Sequence, residues 1–138
     1  MPVDQKTIDA LREAIDEEYR SRATYRSVID AFGPVRPFVN ILEAETRHAD
    51  ALLSLFECFG VEPPQDKWAG KVRAPTTLVE ACRAAVQGEI ENAAMYDRLL
   101  NQISDPEARK VMQRLREASL ERHLPAFRRC LQRETGAD

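Results

Sequence analysis

Apolar residues recur every third or fourth position through most of this chain, the period of a helix that buries one face. The first run reads Ile8, Leu11, Ile15, Glu18, Arg22, Tyr25, Ile29 and Phe32. The second reads Phe38, Ile41, Glu45, His48, Leu52, Leu55 and Phe59, and the third Leu78, Cys82, Ala85, Glu89, Asn92, Tyr96, Leu99 and Ile103. Strand-type alternation is absent. Gly33-Pro34 ends the first run and Gly60 the second. Pro37 and Pro106 fall where a first helical turn tolerates proline. Thr77 and Glu80 have the spacing of a capping box. The pattern predicts a single all-α domain over 1–138, with helices at about 7–32, 37–59, 77–103 and 106–133. Two short connections and one long one, residues 60–75, would make it an antiparallel four-helix bundle of two hairpins joined by a crossover. Trp68, in the crossover, is expected to cover one end.

The fourth run changes phase. Ala108, Met112, Leu115 and Ser119 fit one seam, whereas Leu120, His123, Phe127 and Cys130 fit a seam displaced by one residue. A one-residue slip is what a π-bulge produces, and such bulges cluster at functional sites. Pro125 nearby removes a backbone donor.

Ionisable residues occupy the seams where Leu or Ile belongs. Glu18, Glu45, His48 and Glu89 are all at core positions near the middle of their helices. Burying a charge without a partner is costly, so each needs a reason. Glu45-Thr-Arg-His48 places a carboxylate and an imidazole three residues apart on one face, within reach of one centre. Carboxylate oxygens with imidazole suit iron or manganese. The halves of the chain echo each other: Glu18-x6-Tyr25 followed by His48 corresponds to Glu89-x6-Tyr96 followed by His123. Other readings stay open at each position. A buried Glu45–His48 pair can fix helix register, Glu18 can pair with Arg22 or an arginine of the fourth helix, His123 can be a satisfied core histidine, and Tyr25 and Tyr96 can be plain core aromatics.

Composition narrows the class. The chain has 138 residues, 31% of them charged, and a formal net charge of -3. These values describe a globular domain rather than a disordered or strongly basic one. Arginines crowd the last third without interleaved aromatics, so nucleic-acid binding is not expected. No apolar stretch reaches the ~20 residues of a membrane span, and the N-terminus does not read as a signal peptide, so a cytoplasmic location is expected. Cys58, Cys82 and Cys130 are odd in number and form no Cys-x-x-Cys. A disulfide framework and a zinc ribbon are therefore not expected, and Cys82 and Cys130 read as small core residues.

With the paired Glu-x6-Tyr segments, the run Phe38-Val-Asn-Ile-Leu-Glu-Ala-Glu45-Thr-Arg-His48 and His123, nearly the whole chain resembles the ferritin-like superfamily, nearest to rubrerythrin-type bundles without a rubredoxin domain. In such di-iron bundles one Glu comes from each of two helices and Glu-x-x-His from each of the other two. The resemblance implies that Glu18 and Glu89 are terminal metal ligands, Glu45 a bridge, and His48 and His123 the nitrogen ligands. It implies that Tyr25 and Tyr96 orient the carboxylates, with Asn92 and Ser119 close outside the ligands. It implies one or two iron ions, with manganese or zinc as substitutes, and oxidation chemistry driven by oxygen or peroxide, including ferrous iron oxidation. It also implies a homodimer or larger homo-oligomer.

The fourth helix departs from that pattern. The family asks for Glu three residues before His123, and Leu120 stands there. Glu121 is roughly 200° around a regular helix from His123. Glu121 becomes a further candidate ligand only if a bulge turns it inward; otherwise Ser119 faces the site. The missing carboxylate leaves a second functional reading, a non-catalytic structural or interaction bundle with one metal or none. Binding of a small ligand in the bundle core is a third.

Overall fold

The computed structural model describes residues 3–136. It is a helical bundle with no strand among the described residues. Helix α1 spans Gln5–Phe32, α2 Phe38–Phe59, α3 Leu78–Leu100, α4 Pro106–Ala118 and α5 Leu124–Thr135. A π-helical turn, Ser119–His123, joins α4 to α5 so that the two run on as the fourth rod of the bundle. The phase slip read from the sequence is this turn. Its signature is the Leu124 N–H bonded to Ser119 O, five residues back. Pro125 follows directly, at the start of α5.

Local chemistry sets the helix ends. Asp4 accepts the Thr7 N–H at 2.9 Å and Asp105 accepts the Ala108 N–H at 2.9 Å, each satisfying a donor the helix itself cannot. Thr77 Oγ1 accepts the Glu80 N–H at 3.2 Å, but the Glu80 carboxylate takes up Thr76 instead, so only half of the expected capping box forms. Gly60 stops α2 in the left-handed conformation, which costs glycine little because it lacks a Cβ. Helix α3 ends at Leu100, before the expected 103, yet Ile103 stays buried against the core.

α1 packs chiefly on α2, and α3 on α4 and α5. The apolar interior falls into two clusters. One gathers Leu11, Ile15, Leu52, Phe56, Leu99 and Met112, the other Tyr25, Val28, Phe38, Ile41, Cys82 and Phe127. Trp68 is half-buried against the first cluster, and its Nε1–H donates to Asp16 of α1 at 3.0 Å. In the second cluster, Tyr25, Phe38 and Phe127 pack ring to ring with centroids 5.0–5.8 Å apart.

The cysteine expectation is corrected here. Cys82 on α3 and Cys130 on α5 are both buried, with Cα atoms 5.9 Å apart, and they form a disulfide. Their apolar phase was legible, but that the two seams face each other within disulfide reach depends on how the helices pack. Cys58 is exposed and free. No helix is long and apolar enough to cross a membrane among the described residues.

Candidate metal centre

Between the two apolar clusters lies a layer of buried polar side chains. Glu18 comes from α1, Glu45 and His48 from α2, Glu89 from α3 and His123 from the π-turn. Glu18, Glu45 and Glu89 are at most 1% exposed, and His123 is buried as well. Two groups can each offer ligand atoms lying within 4.8 Å of one another: Glu18, Glu45 and His48, and Glu45, Glu89 and His123. Ligands on opposite sides of a metal with bonds of ~2.0–2.2 Å stand about 4 Å apart, so both groups suit one ion each. Glu45 belongs to both. His123 Nδ1 lies 3.2 Å from Glu45 Oε1, and His48 Nδ1 lies 3.9 Å from that same oxygen. His48 Nδ1 is also 3.8 Å from Glu18 Oε2, and His123 Nδ1 is 3.2 Å from Glu89 Oε1. The two imidazole rings stack at 5.4 Å between centroids.

Tyrosines hold the outer carboxylates crosswise. Tyr96 of α3 donates to Glu18 Oε1 of α1 at 2.6 Å, and Tyr25 of α1 donates to Glu89 Oε2 of α3 at 2.5 Å. Burial and the adjacent carboxylates push both phenols well above their usual range, so they remain donors at neutral pH.

The electrostatics of the carboxylates are unequal. Burial, with the Glu18 and Glu89 carboxylates beside it, pushes Glu45 well above the usual carboxylate range. Burial also raises Glu18, but Glu45, His48 and Tyr96 together outweigh it and hold Glu18 below that range. A proton on Glu45 thus relieves the repulsion between neighbouring acids. Glu18 Oε2 and both Glu45 oxygens are buried with no hydrogen-bond partner. Buried carboxylate oxygens without donors are costly. Orphaned oxygens, carboxylate–imidazole donors and a shared central carboxylate fit hard or borderline divalent cations.

The other predicted residues fall around this layer. Asn92 and Ser119 are buried, and Asn92 Nδ2 donates to Ser119 Oγ at 2.7 Å, leaving Asn92 Oδ1 without a partner. Glu121 is exposed and lies outside both groups. The π-turn therefore does not turn it inward. Because the turn is wider than an α-helical one, Ser119 and His123, four apart, are the two residues it buries. The ion pair considered between Glu18 and Arg22 does not form, since Arg22 bonds Asp66 at 3.1 Å.

Sequence reasoning passed over a group just outside the centre. A cavity of about 500 Å³ is lined by both imidazoles and by Arg36, Arg47 and Arg122. The available signal was that an arginine directly precedes each histidine, in Arg47-His48 and Arg122-His123.

No family model matches this chain, and no curated protein matches it either. Solved structures do. A hypothetical protein from Methanococcus jannaschii superimposes with a TM-score of 0.87 at 21% identity, over 98% of this chain and 85% of that one. A conserved hypothetical protein from Mycobacterium tuberculosis superimposes with a TM-score of 0.76 at 18% identity, over 91% of this chain and 90% of that one. These likenesses show a shared helical-bundle fold.

Proposed function

We propose that this chain is a ferritin-like metalloprotein whose bundle core binds two divalent ions, iron foremost, and that it is an oxidoreductase using oxygen or peroxide. The observation that carries the reading is Glu45, buried between two Glu–His groups and belonging to both. The crosswise pairs Glu18–Tyr96 and Tyr25–Glu89 support opposite chain directions for α1 and α3, as in an antiparallel bundle.

Glu18 with His48 would hold one ion, Glu89 with His123 the other, and Glu45 would lie between them. Bound iron would supply the electrons that reduce the oxidant. The chain's own groups do the remaining work. Tyr96 and Tyr25 fix the outer carboxylates, so ligand geometry is set before a metal arrives. The apolar clusters close the centre along the bundle axis, while its imidazole side faces the arginine-lined cavity. Manganese or zinc would fit the same donors.

The test is metal content after expression in iron-rich medium, with anomalous scattering at the iron and zinc edges to count and identify the ions. Protein that purifies metal-free, and whose thermal midpoint ignores added ferrous iron, manganese and zinc, overturns the reading.

One observation favours a second reading. The corner where a fourth carboxylate belongs holds Ser119 and Asn92 instead. A bundle retaining one metal or none for structural purposes would need no more than this. Stopped-flow oxidation of ferrous iron separates the two readings: rapid oxidation that disappears in Glu45→Ala excludes the non-catalytic one.

A further inference from the structure

We infer that the cavity outside the two imidazoles binds a small organic anion, a carboxylate or phosphate head on an apolar body, as the molecule on which the centre acts. That the anion is a substrate rests on the metal-centre reading; that it binds rests on the cavity alone. The cavity measures about 500 Å³, within the range of small-molecule sites. His48 and His123 form the wall it shares with the metal centre. Arg36, Arg47 and Arg122 line it, and no acidic side chain does. None of the three has a carboxylate within ion-pair distance among the described residues, although other arginines of the chain do. Their charge is therefore uncompensated at the cavity.

Guanidinium groups bind carboxylate and phosphate through paired N–H donors, which a diffuse positive surface does not reproduce. Pro37, Ile41 and three alanines make up the rest of the wall apart from Asn40, giving room for an apolar body below the charged head. The arginines come from separate parts of the fold: Arg36 from the turn before α2, Arg47 from α2 and Arg122 from the π-turn. The bulge thus has two effects. It buries His123 toward the carboxylates and leaves Arg122, its neighbour, at the cavity. The same charges oppose entry of a free ferrous ion from this side, so the route suits an anion better than a cationic metal substrate.

The experiment titrates the full-length chain, metal-free and iron-loaded, with hexanoate, inorganic phosphate and hexylammonium. Backbone and arginine Nε NMR shifts locate the site, and calorimetry gives Kd. Hexanoate is expected to shift residues 47, 48, 122 and 123, and hexylammonium to leave them unmoved. Inorganic phosphate carries a head without a body, so it is expected to shift the same residues and to bind more weakly than hexanoate. Arg47→Gln with Arg122→Gln is expected to weaken the anion by about tenfold or more while metal content stays the same. Both side chains are exposed, and a thermal melt verifies that the variant folds. Equal binding of hexanoate and hexylammonium, shifts confined elsewhere, or an unchanged Kd in the double variant each overturn the inference. Metal content is measured in parallel. Anion binding without metal leaves the cavity standing and removes the metal reading; metal without anion binding does the reverse.

Discussion

Tyr96 on α3 donates its hydroxyl proton to Glu18 on α1 at 2.6 Å, while Tyr25 on α1 does the same for Glu89 on α3. Each helix supplies the donor that positions the other's carboxylate. The Glu-x6-Tyr spacing that recurs in the sequence is the imprint of this exchange. Tyr96→Phe keeps the ring that packs the core and removes only the donor. It is expected to weaken metal binding by about 10–100-fold and to lower metal-free stability by about 1 kcal/mol. Metal titration followed by thermal melts measures both, and Tyr25→Phe should act in the same sense on the Glu89 side. An unchanged metal affinity in both variants would show that the phenols only fill space.

Glu45 separates the metal's contribution from the fold's. Burial and neighbouring acids already favour its neutral form in metal-free protein. Glu45→Gln has nearly the same shape and needs no proton to be neutral, so the metal-free thermal midpoint should be unchanged below pH 4.5 and higher than that of the unaltered chain at neutral pH. The metal-dependent rise should vanish. For the unaltered chain, metal at about 100 times Kd adds ~2.7 kcal/mol, equivalent to roughly 10 °C in a domain of this size. A Glu45→Gln variant that keeps that rise contradicts a shared central ligand.

The pH dependence follows from the same carboxyl. Glu45 is raised in the folded state from an ordinary value of 4.5. Its preference for the neutral form stabilises fully below that value and is lost as pH climbs through the raised one. Glu18 is shifted the other way, so its contribution is present above 4.5 and fades only in acid. Above pH 4.5, then, metal-free stability should decline as pH rises. Glu45→Gln should flatten most of that slope, leaving the smaller part due to Glu17, which burial also raises. A metal takes the ionised carboxylate, so binding should release a proton and tighten with pH. Calorimetry in two buffers of different ionisation enthalpy counts that proton.

How much of this could be read beforehand depended on whether the information was local. Helix ends were legible because caps and breakers act over a few residues: Thr77, Pro106 and Gly60 stand within a residue of where the helices start or stop. Glu45 and His48 were legible as partners because three residues of α-helix put them on one face. The bulge was legible as a phase slip between Ser119 and Leu120. What it does with Glu121 was not, since that depends on where the slip is absorbed. The Cys82–Cys130 bond and the Arg36–Arg47–Arg122 cavity join separate helices and turns; Arg47-His48 and Arg122-His123 pointed toward the second, but a single sequence does not say which faces of separate helices meet.

The disulfide itself is testable. It closes a separation of 48 residues between α3 and α5. Cross-links of that span typically stabilise by about 2–4 kcal/mol. Cys82→Ala with Cys130→Ala, or reduction of the unaltered chain, should lower the thermal midpoint by roughly 10 °C. Thiol titration of unfolded, unreduced protein should find Cys58 alone. Three titratable thiols together with an unchanged midpoint on adding reductant would mean the two core cysteines pack without bonding.

The π-turn makes a distinction that a straight helix would reverse. In a regular helix the missing fourth carboxylate belongs three residues before His123, at Leu120. In this fold Leu120 is only half-buried, and Ser119 occupies the buried corner beside Asn92. Ser119→Asp should therefore place a carboxylate at the centre, whereas Leu120→Glu should not. Without metal, Ser119→Asp adds a fourth buried acid to a crowded layer and should destabilise by about 2 kcal/mol or more. With metal the added charge should be compensated, so the metal-dependent rise in thermal midpoint should exceed that of the unaltered chain. Leu120→Glu should leave that rise unchanged. Metal stoichiometry and melts of both variants decide between the two registers, and a gain in Leu120→Glu alone would place the wide turn elsewhere in the fourth rod.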